Sequence, residues 1–124
     1  MLLNHINIPV ENVEQSKSFF EKHFDLTCTD VKGDHALAVL KGTDGFTLVL
    51  MSNTFNRSDV NGFPSAFHIG FLLPTKEEVT EQYNKLKNSG DVSLPQEPGN
   101  MRGVFGFYFT APGNILVEIS SEIR

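Results

Sequence analysis

The last strand-like run of the chain, ILVEIS at 115–120, alternates strictly, with Ile115, Val117 and Ile119 on one face and Leu116, Glu118 and Ser120 on the other. The same period predicts strands over 3–9, 27–30, 35–40 and 46–52, and again over 66–73, 91–94, 104–110 and 115–119. Between them, 12–23 and 76–88 read as helices. Each opens on a capping box, Asn12 with Gln15 and Thr75 with Glu78, and Gly90 stops the second as a left-handed cap. The elements form a βαβββ series, twice, which makes the chain α+β with two tandem modules.

The two series are copies. Asn12 and Thr75, Phe20 and Tyr83, and His5 and His68 all lie 63 residues apart. Near the ends of the halves the offset becomes 68, so that Gly45 aligns with Gly113, Ser52 with Ser120 and Leu50 with Glu118. The extra length is expected in the Pro- and Gly-rich loop SGDVSLPQEPGNMRG. One domain over 1–124 is expected, with module one at 1–52, a polar connector at 53–65 and module two at 66–124.

The break in the repeat raises a chemical question. An ionised glutamate among apolar neighbours is costly unless paired, and the first module manages with leucine there, so Glu118 is not needed to build the module. Its partner is a basic side chain, a hydrogen-bond network, water or a metal ion. The opening strands instead keep histidine in both copies, His5 in NHINIPV and His68 in AFHIGFLL. Two imidazoles and one carboxylate projecting from strands form a 2-His-1-carboxylate set, which leaves coordination positions open for substrate. The plainer alternative is a histidine hydrogen-bonded to Glu118.

Composition narrows the partners. A formal charge of −5 without clustered Lys and Arg argues against nucleic acid and against an anionic membrane surface. MLLNHINIPVEN has neither a basic leader nor an apolar run, which predicts no secretory signal, and no segment is long enough to span a bilayer. Cys28 is the one cysteine, consistent with a cytoplasmic protein, and reads as a small hydrophobe.

The paired βαβββ layout, the opening NHINIPVENVEQSKSFFEKHFDL, the second start FHIGFLL and the closing FYFTAPGNILVEIS resemble the vicinal oxygen chelate superfamily of glyoxalases, bleomycin-resistance proteins and extradiol dioxygenases. The resemblance covers nearly the whole chain. It implies a cup-shaped mixed sheet with helices outside, around a divalent metal with ligand positions at His5, Leu50, His68 and Glu118. Leucine cannot ligate, which counts against glyoxalase I and the methylmalonyl-CoA epimerases. Three ligands, His5, His68 and Glu118, are similar to the sets of extradiol dioxygenases and fosfomycin-modifying enzymes. Fe2+ or Mn2+ is the favoured ion, with Zn2+ or Ni2+ as alternatives. A homodimer is implied as well, with sites at the interface where His5 of one chain meets His68 and Glu118 of the other.

An enzyme with a small-molecule substrate is therefore expected, dioxygenase-like or a lyase, isomerase or transferase. A non-catalytic protein sequestering an antibiotic or aromatic molecule is the alternative, and a vestigial site is a third reading. Candidate catalytic residues are His35, at the start of HALAVL, and Tyr108. Candidate substrate contacts are Arg102, for an anionic group, and the aromatics Phe107 and Phe55, with Phe63 and Phe105 beside them. His23, at the end of the first helix, reads as a surface cation favoured by the helix dipole.

Overall fold

Capping and apolar spacing set the two helices. The computed structural model describes residues 1–55 and 62–123 and divides into two compact units, Met1–Gly62 and Phe63–Arg124. The division falls in the predicted connector, whose residues 56–61 lie outside the described residues. In unit one, α1 (Val13–His23) starts where the Asn12 side chain accepts from the Gln15 amide at 3.0 Å. In unit two, Thr75 does the same for the Glu78 amide at 3.1 Å, α2 covers Lys76–Ser89, and Gly90 takes a φ of 69° as its cap. Each cap satisfies a first-turn amide that the helix leaves without an internal partner.

Unit one adds β1 (His5–Val10), β2 (Thr27–Lys32), β3 (Leu37–Lys41) and β4 (Thr47–Ser52) in the order β1-β4-β3-β2. The strand before the helix runs parallel to β4, and the remaining pairs are antiparallel. Unit two repeats the arrangement with β5 (His68–Leu72), β6 (Gly99–Met101), β7 (Val104–Ala111) and β8 (Ile115–Glu122) in the order β5-β8-β7-β6. The chain is thus α+β with two four-stranded mixed sheets, as expected.

One face of each sheet is covered by its own helix. Phe20 on α1 is fully buried, as are Leu50 on β4 and Ala38 on β3, while α2 buries Val79 and Leu86 in the unit that also buries Phe107, Val117 and Ile119. Each fully buried Phe or Leu removes enough apolar area to contribute roughly 1.5–3 kcal/mol. The opposite, helix-free face of each sheet carries the histidines.

The register corrects the repeat. In unit one His5 pairs with Thr47 and Asn7 with Val49, whereas in unit two His68 pairs with Leu116 and Gly70 with Glu118. With His5 matched to His68, the counterpart of Glu118 is Val49, not Leu50. The cause lies in the turns before β4 and β8, which are equally long, with Gly42 opposite Phe46 and Ala111 opposite Ile115: the glycine stands one position earlier in the second, so Asn114 at φ 59° takes the place of Gly45 at φ 86°, and matching glycine to glycine shifts the strands by one. A one-residue slip exchanges faces. Leu50 points to the helix side with no exposure, and Val49 is half-buried on the helix-free face. An aliphatic side chain still fills the position equivalent to the glutamate's, so the first unit offers no ligand there.

Three further expectations change. The strand predicted at 91–94 is absent, since Leu94 precedes Pro95 and this stretch pairs with nothing; the fourth strand of the sheet is β6, formed by a hairpin onto β7. His35 does not open a strand: Gly33, Asp34 and His35 have φ of 62°, 56° and 64°, a turn closed by the Ala36 amide on the Lys32 carbonyl at 3.0 Å. His23 is no surface cation. It is 3 % exposed, with its ring 4.9 Å from that of Phe19.

Candidate functional site

Unit two gathers its polar groups on the helix-free face. Gly70, Glu118 and Tyr108 stand abreast on β5, β8 and β7, and His68 and Ser120 lie one pair away on either side. The Tyr108 hydroxyl donates to Glu118 Oε1 at 2.5 Å, and Ser120 Oγ donates to Oε2 at 3.1 Å. Both carboxylate oxygens are therefore held by strand-borne hydroxyls. A hypothetical Cβ on Gly70 would lie 3.7 Å from Oε2, so the glycine leaves the carboxylate uncovered from β5.

His68 completes the group. Its Nδ1 lies 3.0 Å from the Ala66 carbonyl, which can only accept, so Nδ1 carries the proton. In the neutral ring Nε2 then presents a lone pair, 3.9 Å from Glu118 Oε1. That separation is beyond a hydrogen bond. The expected alternative, in which His68 explains Glu118 by hydrogen bonding to it, is replaced by the Tyr108 and Ser120 hydroxyls. The ring of His68 meets that of Tyr108 edge-on, with centroids 5.4 Å apart.

The hydrogen bond to Glu118, then burial and the carboxylate's charge, raise the Tyr108 phenol above its ordinary range; the charge of Arg102 acts in the opposite direction. The tyrosine accordingly stays protonated around neutrality and serves as a donor to Glu118.

In unit one His5 is exposed at the start of β1, and its Nδ1 is 2.8 Å from the Asn4 side-chain oxygen. Its Nε2 is left open in the same way. Among the described residues no group of three or more His, Cys, Asp and Glu is gathered closely enough to hold an ion. The predicted set is represented by two donors together in unit two and by His5 on the equivalent strand of unit one.

The donor pair suits a divalent ion in kind. An imidazole oriented by a backbone carbonyl and a carboxylate fixed by two hydroxyls have the outer partners that metal ligands ordinarily need. At 3.9 Å the two donor atoms can reach one ion through bonds of about 2.0–2.2 Å.

The other candidates separate. Phe107 is fully buried on the helix side, its ring 5.3 Å from that of Tyr83, so it is a core residue and no substrate contact. Phe105 lies beneath the Lys76 ammonium, 5.6 Å from it. Phe63 stacks on Phe67 with centroids 5.2 Å apart, and Phe55 is 54 % exposed in a short 3-10 turn, Asn53–Phe55. His35 is exposed in the turn that joins β2 to β3 and lies on neither strand. Ser120 was missed as a partner of Glu118; its signal was the i, i+2 spacing that puts both on one strand face.

Two mixed sheets built as βαβββ repeats, with a histidine at the head of each and a carboxylate on the last strand, define the class. Residues 2–119 match the model of the Glyoxalase/Bleomycin resistance protein/Dioxygenase superfamily, and the chain belongs to that family. A solved structure described as a possible glyoxalase from Bacillus cereus is 34% identical, covers 97% of this chain and 98% of that one, and superposes with a TM-score of 0.82. A lactoylglutathione lyase from Agrobacterium tumefaciens shares the fold at 18% identity, with a TM-score of 0.78 over 97% of this chain and 92% of that one. The trivalent organoarsenical cleaving enzyme of Bacillus sp. (strain MD1) is 33% identical over 94 residues, 75% of this chain and 54% of the relative. The chain thus spans about half the length of the curated relatives it matches. No described helix is long and apolar enough to cross a membrane.

Proposed function

We propose that this chain is a metal-dependent enzyme acting on a small molecule that offers two adjacent oxygens, with His68 and Glu118 as two of the ligands and His5 as the third. The observation that carries the reading is Glu118 itself, tied by Tyr108 and Ser120 through both oxygens with Nε2 of His68 turned toward it. A carboxylate restrained in this way keeps one orientation, and the carbonyl bond to Nδ1 keeps the imidazole in the tautomer that can ligate.

A bound divalent ion, Fe2+ or Mn2+ before Zn2+ or Ni2+, would act there as a Lewis acid on the paired oxygens, as in dioxygenase-like chemistry. The protein's part is to orient the two donors, to hold a proton on Tyr108 beside them, and to leave the face above Gly70 open. His5 joins as the equivalent strand-head histidine of unit one, supplied within a homodimer.

Cleavage of trivalent organoarsenicals, the activity of the matched relatives, fits these residues less well. Trivalent arsenic is a soft centre that favours thiolates, and the sequence contains Cys28 alone, on a strand of unit one. Oxygen ligation suits the residues on the second sheet better.

The test is metal content by mass spectrometry on protein purified anaerobically without chelators, comparing wild type with Glu118→Val and the isosteric Glu118→Gln. About one ion per chain in wild type, with affinity falling at least 100-fold in both folded variants, is the expected result. Wild-type protein that takes up no ion after reconstitution with Fe2+, Mn2+, Zn2+ and Ni2+ would sink the reading and leave a ligand-sequestering module.

A further inference from the structure

Gly70 is the one member of the polar cluster without a side chain, and its backbone does not ask for glycine. It lies in the middle of β5 with φ outside the left-handed region, a conformation open to any L-residue. Beyond its chain neighbours, a Cβ built on it would meet one heavy atom of the described residues within 4 Å, Glu118 Oε2 at 3.7 Å, which is an ordinary van der Waals contact. The equivalent place on β1 holds Asn7, so the module accepts a side chain there. Glycine inside a strand meanwhile costs backbone entropy and forgoes packing. Local structure thus gives a reason against glycine and none for it.

What the missing side chain leaves is space beside both donors. Gly70 stands in the same row as Glu118, and His68 precedes it by two residues on the same strand face, so no side chain intervenes. Gly70 is itself exposed, hence uncovered by the rest of the described chain. Leu72 continues that face two residues further on and is 63 % exposed, a large apolar side chain left to water at the edge of the site. Arg102, at the tip of the β6–β7 hairpin, stands beyond the row of Met101, Val104 and Glu122 and does not flank this space. A bare stretch of strand backbone between an imidazole and an isobutyl group suits a flat apolar body.

We infer that Gly70 is a specificity-determining residue: the body of the substrate, a planar apolar group, lies over it and against Leu72 while the adjacent oxygens are held at His68 and Glu118. This rests on the metal-site reading above. Glycine inside a strand marks a close approach by a ligand or by another backbone, and the open lone pair of His68 beside the fixed carboxylate favours the ligand. Contact with the substrate would also take Leu72 out of water.

Two probes chelate through the same pair of oxygens and differ only in their body, acetohydroxamate and benzohydroxamate. Titration calorimetry with both on metal-loaded wild type, Gly70→Ala, Gly70→Val and Leu72→Ala tests the inference. Wild type is expected to bind benzohydroxamate about tenfold more tightly, since a phenyl ring buries more apolar area than a methyl group. Gly70→Ala should reduce that preference about threefold and Gly70→Val should abolish it, with the ion and the acetohydroxamate affinity kept. Thermal stability should be no lower than wild type, because either side chain suits a strand better than glycine. Leu72→Ala should reduce the preference about threefold. A preference unchanged in Gly70→Val, or both probes weakened alike, overturns the role of Gly70 and leaves the metal-site reading intact. Loss of the ion in Gly70→Ala does the same, since the glycine would then serve the carboxylate and not the substrate. Wild-type protein that retains its ion but binds neither probe overturns the vicinal-oxygen reading and the inference with it.

Discussion

The helix-free faces of the two units have one backbone and two chemistries. By register, Val39, Val49 and Met51 of unit one occupy the places of Tyr108, Glu118 and Ser120 in unit two. Half-buried aliphatic and thioether side chains in one stand where a carboxylate and its two donors stand in the other. The three positions differ together, and physics gives the reason. A lone glutamate on a half-buried face is penalised, and hydroxyls facing a valine would lack an acceptor, so only the complete polar set or the complete apolar set is stable. The strand-head histidines escape this coupling because each finds its partner locally, Asn4 or the Ala66 carbonyl. The comparison separates what builds the module from what can be added to it: unit one shows the scaffold, and unit two shows the scaffold with a polar cluster laid on it.

The helix-facing sides should be the most sensitive to substitution, and for stability alone. Phe107→Ala is expected to destabilise by about 3–5 kcal/mol in urea unfolding, since Phe107 is fully buried against Tyr83. In preparations that remain folded, metal content should match wild type. A Phe107→Ala protein of undiminished stability would contradict the assignment of that face to the core.

A smaller effect tests whether the polar trio acts as one unit. Glu118→Val by itself should cost about 1–3 kcal/mol, because Tyr108 and Ser120 lose their acceptor. Adding Tyr108→Phe and Ser120→Ala, which brings the face closer to unit one, should recover most of that loss. Urea midpoints for the single, paired and triple variants supply the cycle. Simple additivity of the three losses would show that the hydroxyls and the carboxylate are independent.

The smallest difference lies on the helices. Lys17 Nζ meets Glu21 Oε1 at 2.9 Å on α1, whereas α2 has Thr80 and Asn84 at the corresponding positions. The hydrogen bond from Lys17 is the main cause holding the Glu21 carboxyl below its ordinary range, and the bond to Glu21 is the main cause holding the Lys17 ammonium above its own. A lowered carboxyl stabilises the fold above its unfolded value, and the contribution disappears as pH falls through the folded one. The raised ammonium contributes below its unfolded value and ceases to as pH climbs through the folded one. Both groups are partly exposed, so Lys17→Met should cost only about 0.3–0.5 kcal/mol near neutrality, with the difference vanishing in acid. Thermal unfolding across pH reads it, and a difference that persists unchanged below the carboxylate range would rule out this pairing.

Much of the architecture was legible in the residues. Alternation, capping boxes and Gly90 are local signals, so both helices, seven of the eight strands and the repeat could be read without knowing what packs on what. The same holds for His68 and Glu118, because two histidines at matching strand heads and a carboxylate in an apolar run are visible as pattern. What the pattern could not supply was face and partner. Val49 as counterpart of Glu118 depended on Asn114, and not Gly113, standing at the place of Gly45, and an alignment of letters does not feel which way a strand turns after a tight bend. His23, polar by composition, is packed against Phe19, and Phe107, one residue from Tyr108, faces the opposite way.

The sequence by itself determined the elements, their order and the residue types available for chemistry, because those follow from steric preference and periodicity within a few residues along the chain. The tertiary structure decided that Tyr108 and His68 flank Glu118, since a hydrogen bond from a residue 10 positions away and an imidazole 50 positions away come to it only after register fixes which side chains of neighbouring strands stand abreast.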